Sequence, residues 1–467
     1  MNYLQFINII GIMNRKIVCS LTFLTLAFTL ISLSSCSTTS DDYVKNVIDE
    51  AQKMSREDLY KKAMEELEGK TMYFIGNSSR LTTAKEYFIN YLKGNKFNET
   101  TKEFEASTEV QSEFKYFNPN FDGTIEFNQP INNKIFSFVS SDIRSSSHKI
   151  SMVLIQDGNQ IQSKMINTNY LLNYVPKDWE GAYQTNGNPF ALQSLNKVFE
   201  FNNQGTKEYK NVWDFVNENS KFYFMNIQSE PVGKNFFYML TNEHYSSIME
   251  DAFNKYTGDD KASIQEDIDS LSSEVIGLGL ENENAKYSLA FIKRFKHQAD
   301  TRTYLDDAPI CNHLATKDST NESGLLVYSK LRNIRENDEG ISSKNITIAA
   351  YQDGYIGIGG YMYKHYLQIL KTSPFPWTSC ALIDFISTTQ YGFKPWGKDI
   401  GGYCSDTKTN TDHSKDGYVD GVSVYDCKND RGYDWWINQE NGGKLVIEEP
   451  AYCAKVDYLL GAWVDAI

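Results

Sequence analysis

Where the chain turns polar, apolar positions begin to recur at helical spacing. Val44, Val47, Ile48, Ala51 and Met54 fall on one face of a helix. Ser55-Arg56-Glu57-Asp58 then reads as a capping box opening a second helix along Leu59, Ala63, Met64 and Leu67, which Gly69 closes. The period shortens at Thr71-Met72-Tyr73-Phe74-Ile75, an apolar strand. A small polar loop comes next, Gly76-Asn77-Ser78-Ser79, and then a helical segment carrying Tyr87, Phe88, Tyr91 and Leu92. Strand, polar loop and helix make a βα unit. The unit recurs with a strand over 123–127 and a helix opened by Pro130 and running to 143. It recurs again with a strand over 149–156, where Asp157-Gly158-Asn159 leads into another helix. Beyond Leu171-Leu172-Asn173-Tyr174-Val175-Pro176 the texture becomes Asn- and Gly-rich loop through Gly205. Further on, the pattern predicts strands over 222–227 and 345–351 and helices over 235–240 and 377–387. From Gly392 the chain is rich in Gly, Asp and Trp and keeps neither period. Alternating strands and helices predict an α/β fold with mostly parallel sheets.

Ahead of these elements, Arg15 and Lys16 precede an apolar run over 17–33, and Leu33-Ser34-Ser35-Cys36 closes it. A basic start, an apolar stretch and small residues before a cut describe a secretory signal over 1–35, with Met13 as its better start. The run falls short of the ~20 apolar residues that span a bilayer. Cys36 in this context resembles the lipobox of bacterial lipoproteins, where the thiol takes a diacylglycerol and fatty acyl groups such as palmitate. That resemblance implies an exported chain, lipid-anchored in the cell membrane or an outer membrane and facing the periplasm or the exterior.

The chain has 467 residues, too many for one core and suited to two or three lobes. Its net charge of −14 speaks against a nucleic-acid partner. Thirty Tyr and 27 Phe suit aromatic cores and ligand clefts alike. Beyond the leader, Cys311, Cys380, Cys404, Cys427 and Cys453 form no C-x-x-C pair, which speaks against a zinc site. Outside the cytoplasm disulfides are allowed, and Cys404 with Cys427 would staple a polar loop.

Several stretches together resemble the extracellular solute-binding proteins of ABC importers, in the ferric-iron, thiamine and polyamine cluster with the type II periplasmic fold. They are Asp58-Leu59-Tyr60-Lys61-Lys62-Ala63, then Met152-Val153-Leu154-Ile155-Gln156-Asp157, then residues 171–176, and finally Lys371-Thr372-Ser373-Pro374-Phe375-Pro376-Trp377 running into Ala381-Leu382-Ile383-Asp384-Phe385-Ile386. The resemblance spans roughly residues 55–392. It implies a two-lobed α/β fold with a hinge between lobes. The segments would be a tether and N-terminal helices over 36–70, lobe one over 71–175, lobe two over 176–345, a return to lobe one over 346–392, and a C-terminal extension over 393–467. It also implies a binding protein rather than an enzyme, with no cofactor, a small solute as ligand and membrane permease subunits as partners. The adjacent tyrosine pair that holds iron in some members has no counterpart, since no Tyr-Tyr occurs in this chain.

In such a fold, solute sits at strand C-termini and helix N-termini, where free backbone N–H groups and the helix dipole meet it. Three loops have that form and supply Asn77, Ser78 and Ser79, then Asp157 and Asn159, then Glu230 and Gly233. Tyr351 and Asp353 come after a fourth strand. Each loop taken alone is an ordinary N-cap and turn. Asp157, Glu230 and Asp353 would favour a cationic solute. His365, with Lys364 and between Tyr363 and Tyr366, reads either as a ligand for a solute carboxylate or metal, or as a satisfied histidine. Asp412, Ser414, Asp416 and Asp420 match the first part of a calcium loop whose closing Glu is replaced by Ser423. The alternative class is a surface lipoprotein that binds or degrades glycans, and degradation would need paired carboxylates across a cleft.

Overall fold

The computed structural model describes residues 40–181, 187–218, 221–228, 230–299 and 306–467. The predicted leader with Cys36, and Ser229 in the third polar loop, lie outside the described residues.

Helices α1 (Ser40–Ala51) and α2 (Arg56–Leu67) open the chain, and Ser55 Oγ accepts the Asp58 amide at 3.1 Å as the cap of α2. Next in order are strand β1 (Thr71–Gly76), α3 (Arg80–Leu92), β2 (Thr124–Asn128), α4 (Ile135–Ile143) and β3 (Ile150–Ile155). The order β2-β1-β3 is parallel throughout. All six residues of β3 are buried because both faces of this sheet are covered. The side-chain period of two sends Met72, Phe74, Met152 and Leu154 into a core with α2 and α3. The same period sends Ile75, Val153 and Ile155 to the opposite face, against Ile135 and Val139 of α4.

The chain then crosses to a second lobe along β4 (Ala191–Asn202), twelve residues long and buried along its whole length. Lobe two contains β5 (Lys221–Tyr223), α5 (Val232–Leu240), α6 (Glu243–Asn254), α7 (Lys261–Gly277), α8 (Ala285–Ala299), α9 (Asp307–Leu314), β6 (Glu322–Val327) and β7 (Ile346–Ile348). Phe295 of α8 is the hub of its aromatic core, with ring centroids 4.7 Å from Phe222, 4.9 Å from Phe224 and 5.2 Å from Phe237. Such pairs add about 0.5–1.5 kcal/mol each beyond their area burial.

Strand β8 (Gly360–Leu370) returns, antiparallel to β4 from Gly360↔Val198 to Tyr366↔Ala191 and antiparallel to β3 from Tyr366↔Ile155 to Ile369↔Met152. The sheet order is therefore β2-β1-β3-β8-β4-β6-β5, parallel at both ends with two long antiparallel strands running from lobe to lobe between them. This is the two-lobed α/β architecture that the resemblance implied. Helix α10 (Pro376–Thr388) docks on lobe one, where Asp384 accepts from Arg56 Nε at 2.9 Å and from Tyr60 Oη at 2.8 Å.

Three features differ from the sequence reading. The stretch read as loop through Gly205 contains β4. Its polar residues, Gln193, Asn196, Lys197 and Glu200 among them, hide a strand whose neighbours bury it. The region after Gly392 is woven into the body. Strand β9 (Gly402–Cys404) pairs with β4, β10 (Leu445–Ile447) pairs with β8, and α11 (Pro450–Ala466) buries Cys453, Val456, Leu460 and Val464 in the lobe-two core. The Cys404–Cys427 staple is not formed: Cys404 lies in the lobe-one core and Cys427 in that of lobe two, and all five described cysteines are buried and free. Among the described residues no helix is long and apolar enough to cross a membrane.

Candidate functional site

The parallel strands of lobe one end along one edge, and the loops beyond those ends line a cavity of about 380 Å³ between the lobes. Asn77, Ser78, Ser79 and Arg80 come after β1, Gln129 after β2 and Gln156 after β3. The crossing strands contribute Leu195, Lys197, Tyr363 and His365. Lobe two closes the space with Glu230, Asp306, Asp307, Ser329, Lys330 and Arg332, and Asp399 joins from the chain's last third. A larger hollow of about 950 Å³ lies beside α3, between Lys96, Tyr391 and Lys394, and lacks the second lobe as a wall. Convergence of strand ends and helix starts from two lobes makes the smaller space the candidate site.

Charge in the cavity is arranged in pairs. Asp399, its side chain 3 % exposed, accepts from Arg80 of lobe one through Nε at 3.0 Å and through Nη2, and from Arg332 of lobe two through Nη1 at 2.5 Å. One carboxylate thus ties a guanidinium from each lobe. Lys197 Nζ donates to Asp307 Oδ2 at 3.0 Å with both side chains buried, and Lys330 pairs with Asp306 at 2.9 Å. Glu230 Oε1 takes neutral donors, Asn132 Nδ2 at 3.1 Å and the Val232 amide at 3.3 Å. Burial pushes its carboxyl pKa upward, and the Lys197 charge opposes that.

His365 sits on the cavity floor with 3 % exposure. Its Nδ1 faces Gln193 Nε2 at 3.1 Å, and Nε2 has no hydrogen-bond partner among the described residues. Burial first, and the Arg80 charge second, push its pKa down to about 3, so the ring is neutral at physiological pH.

Of the residues named from sequence, Asn77, Ser78, Ser79 and Glu230 come together on this cavity, and Asp157, Asn159, Gly233, Tyr351 and Asp353 do not line it. Asp157 is turned inward and 3 % exposed, its Oδ1 accepting from the Gln160 amide and from Asn235 Nδ2, both at 2.9 Å. The same Asn235 Nδ2 reaches Glu448 Oε1 at 3.0 Å, and Glu448 also accepts from Tyr361 Oη at 3.0 Å, Tyr366 Oη at 2.8 Å and the Gly158 amide at 3.2 Å. This buried network ties the end of β3 to α5, β8 and the segment before α11. Gly158 is required there, because a Cβ would stand 2.6 Å from the Glu448 carboxyl carbon. Asn159 is buried in the same turn. Gly233 is a packing glycine, its missing Cβ leaving room for the Phe224 ring.

The fourth loop fails because its strand ends at Ile348 and passes into a 3-10 turn. Tyr351 then faces lobe two, bonding Tyr328 Oη and the Asn429 carbonyl at 2.8 Å each, and Asp353 is exposed. The calcium pattern is not gathered either. Asp412 caps the Ser414 amide, Asp416 pairs with His413, and Asp420 occupies a left-handed turn position. Among the described residues no three His, Cys, Asp or Glu side chains are placed to share a metal ion. The sequence reading missed Lys197, Tyr363, Arg332 and Asp399 as lining residues. Lys197 and Tyr363 are legible only once β4 and β8 are recognised as strands, and nothing local marks Arg332 or Asp399.

No protein-family model matches the chain, and no curated protein matches it in sequence. Among solved structures the chain is similar to iron-bound HitA from Pseudomonas aeruginosa, at 10 % identity over 85 % of this chain and 98 % of that one, with a TM-score of 0.48. It is also similar to the substrate binding protein of an ABC transporter from Agrobacterium tumefaciens, at 11 % identity over 85 % and 94 %, TM-score 0.48. A third is the ferric binding protein from Campylobacter jejuni, at 10 % identity over 77 % and 95 %, TM-score 0.47. These are likenesses of chain trace at low identity.

Proposed function

We propose that this chain is a lipid-anchored receptor that captures a small solute between its lobes and delivers it to an ABC-type permease, without chemistry of its own. The observation that carries the reading is the cavity itself. It is walled by strand ends of lobe one and by α5, α9 and the turn after β6 of lobe two, and floored by the two strands that join them. A ligand touching both walls favours the closed arrangement of two bodies joined by β4, β8 and the chain between α10 and α11, which is hinge capture. Of the Phe, Tyr and Trp rings among the described residues, Tyr363 alone lines the space and is itself buried, so the cavity offers no stacking platform of the kind a glycan binder uses. The anchor at Cys36 rests on the leader sequence, and it places the receptor on the cell membrane or an outer membrane, facing the periplasm or the exterior.

Two experiments test this. A thermal-shift screen of amino acids, organic acids, polyamines, thiamine, ferric chelates and sugars should find a stabilising class, since a solute at about 100 times its Kd adds about 2.7 kcal/mol. Turnover of a glycan with no stabilisation by any small solute would overturn the receptor reading. Labelled fatty acid should enter the native chain and not the Cys36→Ala variant. An unlabelled native chain removes the anchor and leaves the cleft standing.

A further inference from the structure

The cavity lining carries a cluster of donors around one carboxylate and a second set of carboxylates, two of them paired with Lys197 and Lys330. In the first set, two guanidiniums share one carboxylate, so Arg80, Arg332 and Asp399 together carry one unreturned positive charge. The described bonds between them use Nε and Nη2 of Arg80 and Nη1 of Arg332. His365 belongs to this set. With Gln193 Nε2 donating to its Nδ1, the ring proton lies on Nε2, the buried atom that has no partner among the described residues. In the second set, Asp307 is 3 % exposed and commits Oδ2 to Lys197 and to the Val327 amide, leaving Oδ1 without a partner among the described residues. Glu230 stands with it, its Oε1 bonded to the neutral donors Asn132 and Val232.

Resting on the receptor reading, we infer that the solute is a compact monocarboxylate that also carries a hydrogen-bond donor, an amino acid or a hydroxy acid. Its carboxylate is held by Arg80, Arg332 and His365, and its ammonium or hydroxyl by Asp307 Oδ1 and Glu230. One net positive charge matches a monoanion. A dianionic phosphate would bring a second charge into a space whose remaining wall has Lys197 and Lys330 already paired with Asp307 and Asp306 and Glu230 without a cation, and an uncompensated buried charge is costly. A diamine would set an ammonium against the guanidiniums. This reverses the cationic preference suggested by Asp157, Glu230 and Asp353, two of which lie off the cavity.

The test uses the full chain in thermal-shift and titration calorimetry against amino acids and 2-hydroxy acids, with putrescine, spermidine, inorganic phosphate and citrate as competing classes. Monocarboxylates should stabilise it. Arg332→Met and His365→Phe should each weaken that binding roughly 10- to 100-fold, the range for a lost hydrogen bond to a charged group, and His365→Gln, which restores an N–H donor, should recover part of it. The apo melting curve of each variant separates lost binding from lost folding. Stabilisation by a diamine or by phosphate, with none by monocarboxylates, overturns this assignment and leaves the receptor intact. An unchanged monocarboxylate affinity in folded His365→Phe and Arg332→Met also overturns it. Stabilisation by no class of small solute overturns the receptor reading as well.

Discussion

Both β1 and β3 end in a short polar loop that starts a helical turn, and as sequences Gly76-Asn77-Ser78-Ser79 and Asp157-Gly158-Asn159-Gln160 are the same device. After β1 the loop stays on the cleft, and Ser79 at the start of α3 makes no side-chain cap. After β3 the Asp157 side chain caps its own turn, and Asn235 and Glu448 arrive from 78 and 290 residues along the chain to enclose it. A loop's chemistry is decided by what later packs on it. The β3 loop became a rivet between lobes because the segment before α11 brought a carboxylate to it, while the β1 loop lines the cleft and is tied to the opposing lobe only at Arg80, through Asp399.

The sharpest way to break this contrast is at Asn235. Asn235→Leu would leave Asp157 and Glu448 buried side by side without their shared donor, and should lower unfolding stability by about 3–5 kcal/mol in urea or thermal melts. Next in size is Asp157→Ala, which orphans the Gln160 amide and leaves the Asn235 amide nitrogen with Glu448 as its acceptor. It should cost about 1–3 kcal/mol of apo stability.

Glu448 gives the contrast a pH signature. Burial raises its pKa from 4.5 to about 6. The native state then holds its proton where the unfolded chain has released it. Between pH 4.5 and 6 the native state binds more protons than the unfolded one, so this group makes stability fall as pH rises, by about 2 kcal/mol across the window. Glu448→Gln should flatten that part of the stability–pH curve, and a curve unchanged in the variant would remove Glu448 from the account. The smallest stability effect belongs to the β1 loop. Asn77→Ala should change apo stability by no more than about 0.5 kcal/mol, as a substitution away from the core does, and should be felt in solute affinity instead.

The lobe-one elements were legible because their apolar residues alternate or recur cleanly. Met72 and Phe74 against Ile75, and the helical spacing of Leu59, Ala63 and Leu67, leave one reading each. The crossing strands were not legible. Gln193, Asn196, Lys197, Glu200 and His365 are buried polar residues that no local pattern marks as strand, and Lys197 and Glu200 find their partners, Asp307 and Cys311, only through the fold. The cleft was half visible for the same reason: Ser78 and Glu230 sit where a βα loop must sit, whereas Arg332 and Asp399 meet Arg80 only through the fold. Tyr351 and Asp353 were misplaced because a strand three residues long carries no sign of where it stops.

In the proposed receptor the solute lies against the β1 loop and not the β3 loop. Calorimetric titration of the most stabilising monocarboxylate into folded Arg80→Met and Asp157→Asn tests it directly. Affinity should fall tenfold or more in Arg80→Met and stay unchanged in Asp157→Asn. Equal losses in both, or a loss confined to Asp157→Asn, would contradict it.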